Sequence, residues 1–133
     1  MKQVEDLLPK SKFDFSGMEE LKMLSDEEIM PILPELLEWM KDMNWPVAKE
    51  MPELLSKHQQ VIIPCIIEAL QPEQLESDWK YYIIQFLLPL LEEKYLDKLK
   101  PCLERIAEHP TQGEISDDAD IAARDFLKKN DML

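Results

Sequence analysis

Glycine is nearly absent from this chain, and its scarcity limits the folds that the sequence can adopt. The 133 residues include 2 glycines against 10 prolines, with no tract rich in serine and glycine. Tight hairpin turns depend on residues that accept a positive φ, of which glycine is the foremost. We therefore expect little β structure. A glycine-rich phosphate-binding loop is also excluded, because Gly17 and Gly113 stand far apart.

Basic residues are scarce as well. There are 15 Lys and Arg against 28 Asp and Glu, which gives a net charge of -13. Such a charge repels phosphate backbones and anionic membranes, so neither nucleic acid nor a membrane is expected as a partner. The longest apolar stretch, from Tyr81 to Leu91, is about half of the ~20 residues that a membrane span needs. The acidic first residues do not resemble a signal peptide, which predicts a cytoplasmic location.

Cysteine is almost missing too. Cys65 and Cys102 each follow a proline, and they occupy equivalent positions on successive predicted helices. Neighbouring helix axes lie roughly 8–10 Å apart, beyond the ~7 Å Cα separation that a disulfide allows. The sequence therefore predicts two free thiols.

A repeated helical pattern is what the chain has instead. Pro31, Pro64 and Pro101 each begin an apolar, helix-like segment at steps of 33 and 37 residues, and Trp45 and Trp79 recur at a step of 34. These periods are typical of solenoids built from helix pairs. We therefore predict an all-α fold, a short α-α superhelix of about three helix pairs with an N-terminal helical cap.

The chain length predicts a single domain, since 133 residues are too few for two separate cores. The second helices of the pairs are expected to begin near Asn44, Asp78 and Ser116. Ser25 and Glu28 have the spacing of a capping box at the start of the first repeat. The predicted boundaries are the domain at 1–133, the cap at 1–24, and repeats at 25–58, 59–94 and 95–133.

Prolines also fall inside the predicted helices, at Pro34, Pro52 and Pro89. A proline in a helix interior removes one hydrogen bond and crowds the preceding turn. We therefore expect kinks at these three positions.

Four segments of the chain are distinctive: Leu8–Asp14, Leu36–Ala48, Asp78–Tyr82 and His109–Thr111. Together they resemble a small bacterial family, a domain of unknown function that is thought to have a HEAT-like helical repeat fold. The resemblance covers about Leu7 to Asn130 and implies the fold; it implies no activity, cofactor or partner. Asp120–Arg124 is also similar to the acidic, apolar and basic sequence motif of HEAT second helices.

Aromatic and basic residues near the starts of the second helices are the candidates for binding a partner. Aromatic anchors are enriched in the hot spots of protein interfaces, and Trp45 and Trp79 occupy equivalent positions. The alternative is that both rings pack between repeats, as tryptophan commonly does. The candidate residues, expected to cluster near one exposed groove, are Trp45, Lys49, Trp79, Lys80 and Tyr82.

An acidic row on the first repeat is the second candidate. Glu35, Glu38 and Asp42 share one helical stripe and could meet a basic partner, or form a solvated face. No metal is expected, because a hard ion needs six or more oxygens and no second acidic motif supplies them. His58 and His109 lack the spacing of metal ligands, and no nucleophile motif is present. We expect no catalytic residues and no cofactor.

Three functions remain open on the sequence alone. The first is a non-catalytic protein- or peptide-binding module, since solenoids present extended binding surfaces. The second is an immunity- or antitoxin-like inhibitor, whose negative charge steers it onto a basic toxin. The third is a small-ligand carrier or enzyme with an interhelical pocket near Trp79, Tyr82 and Trp45.

Overall fold

The computed structural model describes residues 3–132, and these residues form helices and no strand. The all-α prediction is confirmed. Met1, Lys2 and Leu133, the outermost residues of the predicted cap and third repeat, lie outside the described residues. The α-helices are α1 (Met18–Leu21), α2 (Asp26–Ile29), α3 (Leu33–Glu38), α4 (Met51–Ser56), α5 (Gln59–Ala69), α6 (Ser77–Tyr82), α7 (Glu93–Glu108), α8 (Gln112–Ser116) and α9 (Ala119–Lys129).

Shorter helical segments of other pitch join these helices. A π-helical segment, Ile83–Leu87, continues α6. Tight 3₁₀ segments lie at Val4–Leu7, Met30–Ile32, Trp39–Lys41, Pro46–Glu50 and Leu88–Leu90.

The prolines explain much of this segmentation. Pro31, Pro34, Pro52 and Pro89 are each the second residue of a helical segment. The first turn of a helix does not use its N–H groups in intrahelical bonds, so proline is tolerated there. The predicted kinks at three of these positions are therefore segment boundaries, where the helical pitch changes.

The remaining two prolines of the repeat pattern correct the predicted helix starts. Pro64 and Pro101 lie in the interiors of α5 and α7, which begin at Gln59 and Glu93. Both prolines are exposed. Water can therefore bond the backbone carbonyls four residues earlier, which lose their helical partners.

The second helices begin within three residues of the predicted starts near Asn44, Asp78 and Ser116. The first starts at Pro46, and the second at Ser77. The third starts at Ala119, because Asp118 adopts a left-handed conformation with φ 61° between α8 and α9. A short polar side chain such as Asp accepts this conformation more readily than most.

The helix pairs pack in chain order. α3 contacts α5, and α5 contacts α7. On the other side, α4 and α9 both contact the π-helical segment Ile83–Leu87. One cluster of buried apolar side chains runs from Leu7 to Met132. Among the described residues, no helix combines the length and apolar character needed to cross a membrane.

Candidate functional site

Four of the eight predicted residues come together in two adjoining depressions. The larger is broad and open, measures about 390 Å³, and lies between the N-terminal cap and the first helix pair. The rings of Trp39 and Trp45 meet edge to face in it, with 5.5 Å between their centres. Trp45 is half-buried, so part of its ring stays accessible. The lining residues are Leu8, Pro9, Glu35, Glu38, Trp39, Lys41 and Trp45.

A smaller cavity of about 220 Å³ adjoins this depression. Glu38 and Lys41 line both spaces and form the ridge between them. Trp79 lines the smaller cavity, which also includes Pro34, Leu37, Cys65, Glu68, Ala69 and Gln74. The structure therefore brings Glu35, Glu38, Trp45 and Trp79 to one region.

Lys41 is the centre of this region. Its Nζ lies 3.0 Å from Glu38 Oε1, 3.1 Å from Glu76 Oε1 and 4.8 Å from the centre of the Trp79 ring. Burial opposes the charged form of Lys41, but the hydrogen bonds to both carboxylates outweigh this and raise its pKa. The ridge thus carries an ammonium group held between two acids and an aromatic face.

The local backbone explains why these side chains share one corner. The chain leaves the 3₁₀ segment Trp39–Lys41 with an extended residue, Asp42. Asp42 Oδ1 accepts a hydrogen bond of 2.9 Å from the N–H of Asn44, an Asx turn that reverses the chain. Pro46 then keeps Trp45 extended, as prolines do for the preceding residue.

The prediction that Trp79 faces an open groove requires correction. Its side chain is 6% exposed. The indole Nε1–H donates a hydrogen bond of 2.9 Å to the carbonyl oxygen of Leu37, and Lys41 covers the ring face. Trp79 therefore joins α6 to α3. Lys41 lies between the Trp79 ring and the protein surface.

The prediction is wrong for Lys80, whose side chain is fully buried. Its Nζ lies 2.6 Å from Glu114 Oε2 and donates to the carbonyl oxygen of Gln71 at 2.8 Å. A buried ammonium is tolerated only when it is paired and hydrogen-bonded in this way. Lys80 is therefore part of the interior and is not available to a partner.

Glu114 is the partner that makes this burial possible, and its two oxygens are fully used. Arg105 donates to both of them at 2.5 and 2.8 Å, and the backbone N–H of Thr111 donates at 2.9 Å. Burial raises the pKa of Glu114, but the bonds from Arg105, Lys80 and Thr111 prevail and lower it to about 2. This network ties α6, α7 and α8 together.

Tyr82 lies on the outer side of α6 and is half-buried. Its ring stacks on that of Phe86 with 6.2 Å between centres. Burial raises the pKa of its hydroxyl, and the nearby carboxylates of Asp42, Asp78 and Asp117 raise it further. Phe86 is 46% exposed, so an apolar ring stands beside this group of acids.

These residues form one surface, which we call the aromatic–acidic face. It contains three predicted carboxylates and three predicted aromatic residues. Lys49 is exposed but lines neither cavity. The face consists of Glu35, Glu38, Trp39, Lys41, Asp42, Trp45, Asp78, Trp79 and Tyr82.

The cysteines and His58 are not among the residues of this face. Cys65 and Cys102 are free thiols, as predicted, and burial raises the pKa of each. His58 is buried and shares a 2.6 Å hydrogen bond with Asp26. Within residues 3–132, no group of three or more His, Cys, Asp and Glu is placed to hold a metal ion.

Two important residues were missed from the sequence. Glu114 was recognisable, because Thr111 stands three residues before it and the pair forms a capping box. The residues next to Lys41 in the sequence did not indicate that it would bridge two carboxylates and a tryptophan ring. Its partners Glu76 and Trp79 lie 35 and 38 positions further along the chain, so only the fold brings them together.

Comparison with known protein families relates this chain to other proteins. The model described as Domain of unknown function (DUF5071) matches residues 7–127. The chain belongs to this family. No curated protein matches the chain. The DUF5071 match spans every residue of the aromatic–acidic face, but the family description names no activity, so the function is argued from the surface itself.

Proposed function

We propose that this DUF5071 domain is a non-catalytic binding module that takes a basic segment of a partner protein on its aromatic–acidic face. The observation that carries the proposal is the pair of adjoining depressions, which share Glu38 and Lys41. Each depression contains a tryptophan beside carboxylates. Aromatic anchors and charged rims are the features that protein interfaces use for affinity and orientation.

Charge supports a basic partner. The chain carries a net charge of -13, and Lys41 is the one basic residue among those that line the two depressions in the described structure. An acidic surface accelerates encounter with a basic partner and discourages acidic ones.

The proposed architecture suits this use. We propose that the helix pairs form a short HEAT-like superhelix, because first helices contact first helices and second helices contact second helices in chain order. Such stacks offer extended surfaces built from several repeats. The aromatic–acidic face combines residues 35–45 of the first pair with α6 of the second. The bacterial origin and cytoplasmic location remain predictions.

An inhibitor of a basic toxin is the narrower second candidate, and the same charge favours it. A small-ligand carrier is less well supported. The smaller cavity measures about 220 Å³, below the roughly 300–1,000 Å³ usual for small-molecule pockets, and the larger depression of about 390 Å³ is broad and open. A side chain from a partner is a better match to the smaller cavity than a whole metabolite.

Binding of a fluorescein-labelled peptide rich in arginine and leucine tests the proposal. Glu35→Lys places a positive charge in the larger depression, and Asp97→Lys makes the same charge change on exposed α7. We expect Glu35→Lys to weaken binding roughly fivefold at physiological ionic strength, because a surface charge contact contributes about 1 kcal/mol. Asp97→Lys should change it far less. Equal losses in both variants would contradict the site.

A further inference from the structure

A cation already occupies part of the aromatic–acidic face. The Lys41 ammonium lies against the Trp79 ring, with Glu38 and Glu76 on either side. We propose that this arrangement is an arginine-binding subsite, filled by Lys41 in the free protein and opened to an arginine side chain of the partner. The inference rests on the proposed function and specifies which side chain the face recognises.

The aromatic wall of the subsite is fixed before any ligand arrives. The Trp79 indole N–H is bonded to the carbonyl oxygen of Leu37 at 2.9 Å, which holds the ring in one orientation. The ring is 6% exposed while the Lys41 ammonium stands 4.8 Å from its centre. Displacing the lysine side chain therefore uncovers a preorganised ring, without a change in the fold.

The acids suit a guanidinium group. Glu38 approaches from the end of α3, and Glu76 from the residue before α6, so the two carboxylates come from separate parts of the chain. A guanidinium is planar, stacks on tryptophan, and can donate to two carboxylates at once. The adjoining cavity of about 220 Å³ adds the polar side chains of Glu68 and Gln74. It gives the group room beyond the position of the Lys41 ammonium.

Lys41 is held loosely enough to leave. Its side chain is 25% exposed, while those of Glu38 and Glu76 are 53% and 52% exposed. Ion pairs this close to water contribute little to stability, because solvent screens the charges. An incoming arginine that makes the same contacts and fills the cavity can therefore displace the lysine.

Methylguanidinium chloride is the probe that tests the subsite. Its binding to the full chain is followed by the NMR signal of the Trp79 indole N–H, assigned by its loss in Trp79→Phe. Lys41→Ala uncovers the ring, and Lys41→Ser is a second variant of the same kind. Lys98→Ala is the matched control, because it removes an equal charge and an ammonium 5.8 Å from the Tyr95 ring. Circular dichroism checks that each variant is folded.

We expect Lys41→Ala to bind methylguanidinium at least roughly fivefold more tightly than the unmodified chain, since a cation–π contact contributes about 1 kcal/mol. Lys98→Ala should match the unmodified chain. Adding Glu76→Gln to Lys41→Ala should remove most of the gain. Equal affinities in Lys41→Ala and Lys98→Ala would overturn the subsite.

The labelled arginine–leucine peptide is titrated into the unmodified chain in parallel. If it binds as proposed while methylguanidinium ignores Lys41→Ala, the subsite alone is wrong. If the peptide does not bind, the proposed function is wrong and this inference falls with it.

Discussion

The Trp79 indole N–H donates to the carbonyl oxygen of Leu37, 42 residues earlier in the chain, at 2.9 Å. This bond joins the second helix pair to the first through a buried polar contact. Leu37 ends up beneath the aromatic–acidic face because α6 packs against the 3₁₀ segment Trp39–Lys41. The ring that the sequence suggested as a partner anchor is thus also a connection between α6 and α3.

Trp79→Phe should destabilise the protein more than Trp45→Phe. The first change removes the hydrogen bond that the indole donates to the carbonyl of Leu37, which contributes about 0.5–1.5 kcal/mol, and it removes ring volume from a buried site. Trp45 is half-buried and its ring contact with Trp39 can persist with phenylalanine. Urea denaturation compares the two. Equal free energies of unfolding would contradict this role for Trp79.

Glu114→Gln should destabilise the protein strongly. The amide cannot neutralise the buried Lys80 ammonium, and breaking a buried ion pair on one side costs about 3–5 kcal/mol. Glu108→Gln is the matched control, because Glu108 is exposed at the end of α7. That change should stay within about 0.5 kcal/mol. Thermal unfolding of both variants at neutral pH measures the difference, and similar melting temperatures would refute a structural role for the network.

Acid should reveal the same network. The pKa of Glu114 falls from 4.5 to about 2 on folding, so its contribution is fully present above pH 4.5 and is lost as the pH drops toward 2. A shift of this size corresponds to about 3 kcal/mol. The stability difference between the unmodified chain and Glu114→Gln should therefore narrow over this range. A difference that stays constant down to pH 2 would mean that the carboxylate is not held ionised by its partners.

The two glycines should respond differently to alanine. A Cβ at Gly17 would overlap the backbone carbonyl oxygen of Leu7, which cannot move without shifting the cap. At Gly113 the nearest atom is Ser77 Oγ at 3.0 Å, and a side chain can change rotamer. We expect Gly17→Ala to cost about 1–3 kcal/mol and Gly113→Ala less than about 1 kcal/mol. Calorimetry of both variants checks this order.

The periodicity of apolar residues was sufficient to predict the helices and much of the core. Five apolar residues of the last helix recur at helical spacing and are buried, and such a pattern is readable because helical periodicity is a local property. They are Ala119, Ala122, Ala123, Phe126 and Leu127.

The periodicity of apolar residues could not predict the burial of Lys80. A lysine near a helix start is ordinarily exposed, and the burial of Lys80 depends on its ion pair with Glu114, 34 residues away. The predicted starts of α5 and α7 were wrong for a related reason. Pro64 and Pro101 are accepted inside helices because they face solvent, which depends on the packing of the whole repeat.

The central claim is that the aromatic–acidic face receives a basic segment, and NMR mapping tests it most directly. The arginine–leucine peptide is titrated into the ¹⁵N-labelled chain at physiological ionic strength, and shifts of the backbone amides are followed. We predict that the largest shifts fall at residues 35–45 and 78–82, with saturation at a common affinity. Shifts of equal size on the exposed acids of α7 and α9, such as Asp97 and Asp125, would contradict the account.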